Sequence, residues 1–378
     1  MAKGALKMVH VRVLFIVILC SAVGLSAVTA HRTIPLPEGV QGLGLAWTPD
    51  GKAIAVTYLD GAGGLWARLL PFPGGEPRWE VRLAEMPVGN PVPPISRLAF
   101  SRDGELLAAG APGRIRILAT RDGALIETLR LDPDTVPLEL GFISGEGLLA
   151  VLAYSRRWPV PPLATGMNAT VSFQIWNRKW ELSEEPVVIG ERPITALSGR
   201  LDAVSRDGRA FASVNLHPEE GRWLFGFLGL GHGGGRVRYL AELLGEPAEP
   251  SALALSPDGR EAVLGLVTRH PGKVPLIKRI ELAAGEVVET YLPRDVGRCH
   301  IIGLDYSPNG ELLAFAARAE ACSHLGLIDL PTSTREVLCQ EEEKASCPIS
   351  SLSYSPSGNF LATLGPGEVV VWRIAPRD

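Results

Sequence analysis

The sequence predicts an all-β chain built from seven copies of one four-stranded unit, and three observations carry that prediction. One tetrapeptide recurs seven times, the residues around each copy have strand character, and the copies follow at a near-constant period. The copies are Thr48-Pro49-Asp50-Gly51, Ser101-Arg102-Asp103-Gly104, Ser144-Gly145-Glu146-Gly147, Ser205-Arg206-Asp207-Gly208, Ser256-Pro257-Asp258-Gly259, Ser307-Pro308-Asn309-Gly310 and Ser355-Pro356-Ser357-Gly358. Successive copies begin 53, 43, 61, 51, 51 and 48 residues apart. Periods in this range mark solenoids, propellers or arrays.

The tetrapeptide is a hairpin turn. Ser or Thr at its first position hydrogen-bonds within the turn, and Pro at the second sets φ near about −65°. Asp or Asn suits the third position and Gly accepts a positive φ at the fourth. Ahead of the turn stands a large-small-large triplet, as in Leu45-Ala46-Trp47, Leu98-Ala99-Phe100 and Leu352-Ser353-Tyr354. Behind it comes an apolar run rich in small residues, as in Leu106-Leu107-Ala108-Ala109. Short apolar runs bounded by turns suit strands buried on both faces. Most units add a third and a fourth strand, as at 115–118 and 125–129. Four strands in each of seven units make a seven-bladed β-propeller of antiparallel blades. The last unit supplies strands near 349–354, 359–364 and 367–373, one short of four. The segment Arg32-Thr33-Ile34-Pro35-Leu36 is expected to supply the outer strand of that blade, where an edge position tolerates proline.

Residues 1–30 differ in kind. Lys3, Lys7 and Arg12 precede an uncharged stretch from Val13 to Ala30, with Val28 and Ala30 at the −3 and −1 positions of a signal-peptidase site. The expectation is a secretory signal over 1–30 and a propeller over 31–378. The alternative is a membrane anchor retained through residues 13–30, since about 18 uncharged residues are the least that span a bilayer. Loss of those three cations moves the net charge from −4 to −7. A mildly acidic chain lacks the basic footprint of a nucleic-acid binder, and no later segment is long and apolar enough to cross a membrane. An exported monomer, periplasmic or secreted, is expected.

The repeat over about residues 31–378 resembles the WD40 propellers. Remnants of that family's Trp-Asp position stand at Ile175-Trp176-Asn177, Ile328-Asp329-Leu330 and Val371-Trp372-Arg373. The family's Gly-His pair is not evident in any unit, so its buried His–Asp network is not carried over. TolB-like periplasmic propellers have a similar Ser-Pro-Asp-Gly turn. By analogy, the resemblance implies a binding module.

Four cysteines follow the first thirty residues, Cys299, Cys322, Cys339 and Cys347, at spacings that match no zinc pattern. An even count in an oxidising compartment favours disulfides, with three connectivities open. In a propeller, Cys299 enters the first strand of blade six, and Cys322 lies in the loop that returns to the same end. Cys339 and Cys347 share the short link to blade seven. The pairs Cys299–Cys322 and Cys339–Cys347 are therefore expected.

In a four-stranded blade, the loop between second and third strands and the loop between blades emerge at the same end. That end, opposite the tetrapeptide turns, gathers His217-Pro218-Glu219-Glu220, Arg269-His270-Pro271, Arg298, His300 and His324. Neutral imidazoles beside a carboxylate suit metal ligation or general-base chemistry. No His-x-x-x-His spacing accompanies them, and polar loops are their plainer explanation. The longest interruption, 154–169, holds Arg156, Arg157 and Trp158. Loops of this length are usually functional or disordered, and Trp and Arg are enriched in binding hot spots. Asn168-Ala169-Thr170 is a glycosylation acceptor by pattern. The glycine-rich 229–235 stretch leads into the strand-like 236–240 rather than a helix, which argues for a hairpin and against a phosphate loop.

Catalytic signatures such as Gly-x-Ser-x-Gly or His-Glu-x-x-His are absent from the sequence. The expected function is an exported, non-catalytic binding or scaffold module that takes a protein or polymer partner and no cofactor. Its binding residues would be Arg156, Arg157, Trp158, His217, Glu219, His270, His300 and His324. The alternatives are a metal-dependent hydrolase or lactonase using the His and Glu residues, and a quinoprotein-like redox propeller.

Overall fold

The computed structural model describes residues 29–86, 96–143, 147–154, 168–183, 185–193, 200–229, 234–245, 248–268, 275–292, 300–318, 323–340 and 349–374. Within them lie 28 strands and one five-residue helix, Leu240–Leu244. The strands make seven antiparallel units of four. Blades one, two, five and six are separate sheets whose strands follow chain order. Blades three and four run together. The outer strand of blade three, Val187–Pro193, touches the second strand of blade four through the single pair Glu191 and Leu216.

The blades form a closed ring. The first strand of every blade contacts the first strands of both neighbours, including blade seven against blade one. Seven apolar clusters occupy the seven seams, one between each adjacent pair. Inner strands are thus buried on both faces, which is why they read as continuous apolar runs instead of alternating ones. In the second strand of blade one, Ala53–Leu59, the first six residues are all buried. Small residues permit the close approach: a Cβ on Gly265 would stand 2.8 Å from Ile301 of the next blade.

The N-terminal segment closes the ring. Thr29–Pro35 pairs antiparallel with Glu368–Arg373 as the fourth strand of blade seven. It begins at Thr29, three residues ahead of the expected start and ahead of the expected mature terminus at His31. Ile34 and Leu36 enter the cluster between blades seven and one, and Trp47 Nε1 donates to Ser353 O at 3.1 Å across the same seam. Each such buried aliphatic side chain contributes roughly 1.5–3 kcal/mol.

Candidate binding site

The six tetrapeptide turns described in full are built alike; of the third copy, residues 144–146 lie outside the described residues and Gly147 stands at φ 148°. The glycines at positions 51, 104, 208, 259, 310 and 358 have φ between 68° and 76°. The first-position hydroxyl does two jobs. In blade four, Ser205 Oγ donates to Asp207 Oδ1 at 2.6 Å and accepts from Ala210 N at 2.8 Å. The same pair of bonds recurs at Thr48, Ser101, Ser256 and Ser307. These bonds to the charged form hold Asp103 below the usual carboxylate range, the Ser101 bond contributing most. Neighbouring turns also abut: a Cβ on Gly104 would stand 3.3 Å from Pro49 Cδ, and one on Gly358 3.3 Å from Pro308 Cδ.

This ring of turns aims its second positions inward. Pro49, Arg102, Arg206, Pro257, Pro308 and Pro356 all line one axial funnel of about 1280 Å³ that opens at the tetrapeptide end. Its mouth has two unlike halves. Blades five, six, seven and one present proline, while blades two and four present Arg102 and Arg206, and blade three adds Arg178 from the turn between its third and outer strands. Arg102 and Arg178 are exposed. Arg206 reaches solvent inside the concavity, where burial among protein atoms lowers its pKa and Asp305 opposes the shift.

Beside Arg178 stands Trp180, at φ 64°. In the matching turns of blades two and five, Gly123 and Gly285 hold that left-handed position, and in blade six a small serine, Ser333, does. An L-residue there costs roughly 1–2 kcal/mol. The indole packs edge-on to Phe142, centroids 6.5 Å apart and planes at 79°, and both rings line the funnel.

Deeper along the axis the funnel narrows to a polar throat of about 170 Å³, lined by Arg97, Glu139, Arg200 and Asp305 among others. Arg97 Nε donates to Leu138 O at 2.8 Å and stands 3.9 Å from Glu139 Oε2. Arg200 Nη2 donates to Ser351 Oγ at 2.5 Å, tying blade four to blade seven across the axis. Asp305 accepts from Tyr354 N at 2.7 Å. Burial pushes the Asp305 carboxyl up to about 6, against that amide, Arg200 and Arg206. Burial likewise raises Glu139, with Arg97 and Arg200 opposing.

The opposite end carries the residues singled out from the sequence. His217 Nδ1 accepts the amides of Glu219 and Glu220, each at 3.3 Å, so this histidine and Glu219 do come together. His217 also lines a second cavity of about 440 Å³ that includes Tyr239 and Glu242. His300 is exposed at the start of the first strand of blade six. His324 differs from the expectation of a loop residue. It lies within the third strand, opposite Ala317, and is 3 % exposed, with burial lowering its pKa. Arg156, Arg157, Trp158, His270, Cys299, Cys322 and Cys347 lie outside the described residues, as does the side chain of Cys339. Among the described residues no group of three or more His, Cys, Asp or Glu side chains is placed to hold a metal ion. The funnel lining went unread in the sequence. Its one signal was the replacement of proline by arginine at 102 and 206.

No protein-family model matches the sequence, and no curated protein matches it. Solved structures do. The chain is similar to the β-propeller domain of Myceliophteria thermophila Cps50 (Swd1), at 12% identity and TM-score 0.61, over 92% of this chain and 100% of that one. It is similar to Kuenenia stuttgartiensis hydrazine synthase at 15% identity and TM-score 0.63, covering 89% and 96%. Against U3-55K the figures are 16%, 0.58, 90% and 99%. Together with the closed ring of seven blades, these likenesses define the fold as a WD40-like β-propeller. No helix among the described residues is long and apolar enough to cross a membrane.

Proposed function

We propose that the protein is an exported, non-catalytic binding module that engages a partner protein at the tetrapeptide end, in the axial funnel. The observation that carries this reading is the funnel itself. Its volume of about 1280 Å³ exceeds the ~300–1,000 Å³ usual for small-molecule sites. Its wall combines aromatic rings with guanidinium groups, the side chains that dominate binding hot spots. Its rim is held rigid by repeated hydrogen-bonded turns. Export rests on the character of residues 1–30 and on the cysteine usage.

Crosslinking and mass spectrometry of the full chain in its own compartment test the docking surface. Partner crosslinks are expected around the funnel mouth and are expected to fall in a Trp180→Ala variant. A variant with His217, His270 and His300 all changed to Ala should retain them. Crosslinks that cluster instead at the His217 end, and vanish in that triple variant, overturn the assignment. Export is tested by N-terminal sequencing and non-reducing peptide mapping, with His31 as first residue and the pairs Cys299–Cys322 and Cys339–Cys347 expected. Cytosolic protein with Met1 intact and four free thiols overturns it.

A further inference from the structure

We propose that the arginine half of the funnel mouth binds an acidic, extended peptide segment of the partner, with carboxylates on Arg102, Arg178 and Arg206 and an apolar side chain against Trp180 and Phe142. This rests on the funnel being the docking surface and names the chemistry it selects.

The argument is the asymmetry of an otherwise repeated rim. At the second turn position proline is the residue the turn favours, and blades one, five, six and seven have it. Blades two and four give up that preference for a guanidinium, and the blade between them contributes a third. Three cations therefore lie on adjacent blades along one arc. The turn acids offset only part of this charge. Asp103 and Asp207 line the funnel beside these arginines, whereas Asp50 and Asp258 of the proline turns do not, and in all four the Oδ1 accepts from its own turn's hydroxyl. Three guanidiniums against those two carboxylates leave the arginine half of the mouth net positive. Guanidinium groups suit planar carboxylates, which they grip through two parallel hydrogen bonds. The second observation is Trp180, a large ring kept at a backbone conformation that two sister turns reserve for glycine. Strained residues of this kind gather at ligand-binding surfaces. Its half-buried indole between Arg178 and Phe142 offers an apolar platform within the cationic arc.

The test uses a fluorescein-labelled peptide of alternating glutamate and phenylalanine, with a glutamine-for-glutamate peptide as control, read by anisotropy. The glutamate peptide should bind at least about tenfold more tightly than the control and should weaken as salt rises, because exposed charges are screened. Arg102→Pro with Arg206→Pro restores the residue of the sister turns, so the fold should persist while the preference for glutamate disappears. Circular dichroism and the melting temperature check that it folds. Equal binding of the two peptides overturns the proposal, as does a double variant that keeps the preference. A polygalacturonate oligomer that binds the wild type but not the double variant, where the glutamate peptide does not bind, also overturns it in favour of an anionic polymer. Funnel-centred crosslinks without a glutamate preference sink only the acidic-peptide inference. Crosslinks away from the funnel sink the docking surface itself.

Discussion

Removal of one hydroxyl, Ser205→Ala, measures what the repeated turn contributes. Ser205 is 3 % exposed and its Oγ accepts the amide of Ala210, itself 5 % exposed, at 2.8 Å. Alanine leaves that buried N–H without its acceptor, a loss of about 1–3 kcal/mol. The bond to Asp207 goes too, but its carboxylate is partly solvated and adds little. An expected cost of about 2 kcal/mol follows. Ser355→Ala provides the internal comparison, because there both bonds are 3.1 Å and the side-chain partner is the neutral Ser357. Its cost should be near the bottom of the range, about 1 kcal/mol. Urea unfolding followed by tryptophan fluorescence reads both, with an unchanged slope showing that the exposed surface is the same. Ser205→Thr should be tolerated, since Thr48 performs this role in blade one. A Ser205→Ala protein as stable as the wild type, or less affected than Ser355→Ala, would refute the reasoning.

Three further outcomes are expected. Asp305 has a folded-state pKa near 6, raised from an ordinary 3.8, so the folded state holds its proton more tightly. Its contribution to stability is full below about pH 4 and falls as pH rises to about 6. Asp305→Asn should flatten that part of a stability-against-pH curve, and an unchanged curve would count against the buried carboxyl. Deletion of residues 29–36 uncovers the edge of Glu368–Arg373 and should promote aggregation seen by light scattering; a monodisperse truncated protein with the same melting temperature would contradict ring closure. His217, His270 and His300 changed together to Ala should cost less than about 0.5 kcal/mol each, as surface substitutions do, and a large loss would place these residues in the core.

The blade count and turn positions were legible because turn chemistry is local. Ser205, Asp207 and Gly208 meet within one turn, so spacing alone reports their geometry. Strand positions followed from apolar runs bounded by turns, such as Leu106-Leu107-Ala108-Ala109, which suit a strand covered on both faces and fall in Leu106–Ala111. The funnel was not legible for the opposite reason. That Arg102 and Arg206 face the axis depends on how blades pack around it, and residues about a hundred positions apart must converge before the cationic arc exists. His324 shows the same limit. Its neighbours read as a loop, yet strand pairing with Ala317 carries it into the interior.

The pairing of Ile34 with Val369 has a kinetic consequence. Each blade is assembled from contiguous sequence except the last, whose fourth strand is the earliest segment of the fold to be made. That strand must wait, unpaired, until nearly every other residue has been synthesised. Closing so long a loop carries a high entropic cost that is recovered only at the final step. Until then the apolar edge of blade seven and the seam beside Trp47 are open to solvent and to other chains. The dependence of folding on holding this segment in reserve makes it the natural point at which a chaperone, or a premature truncation, would decide between a ring and an aggregate.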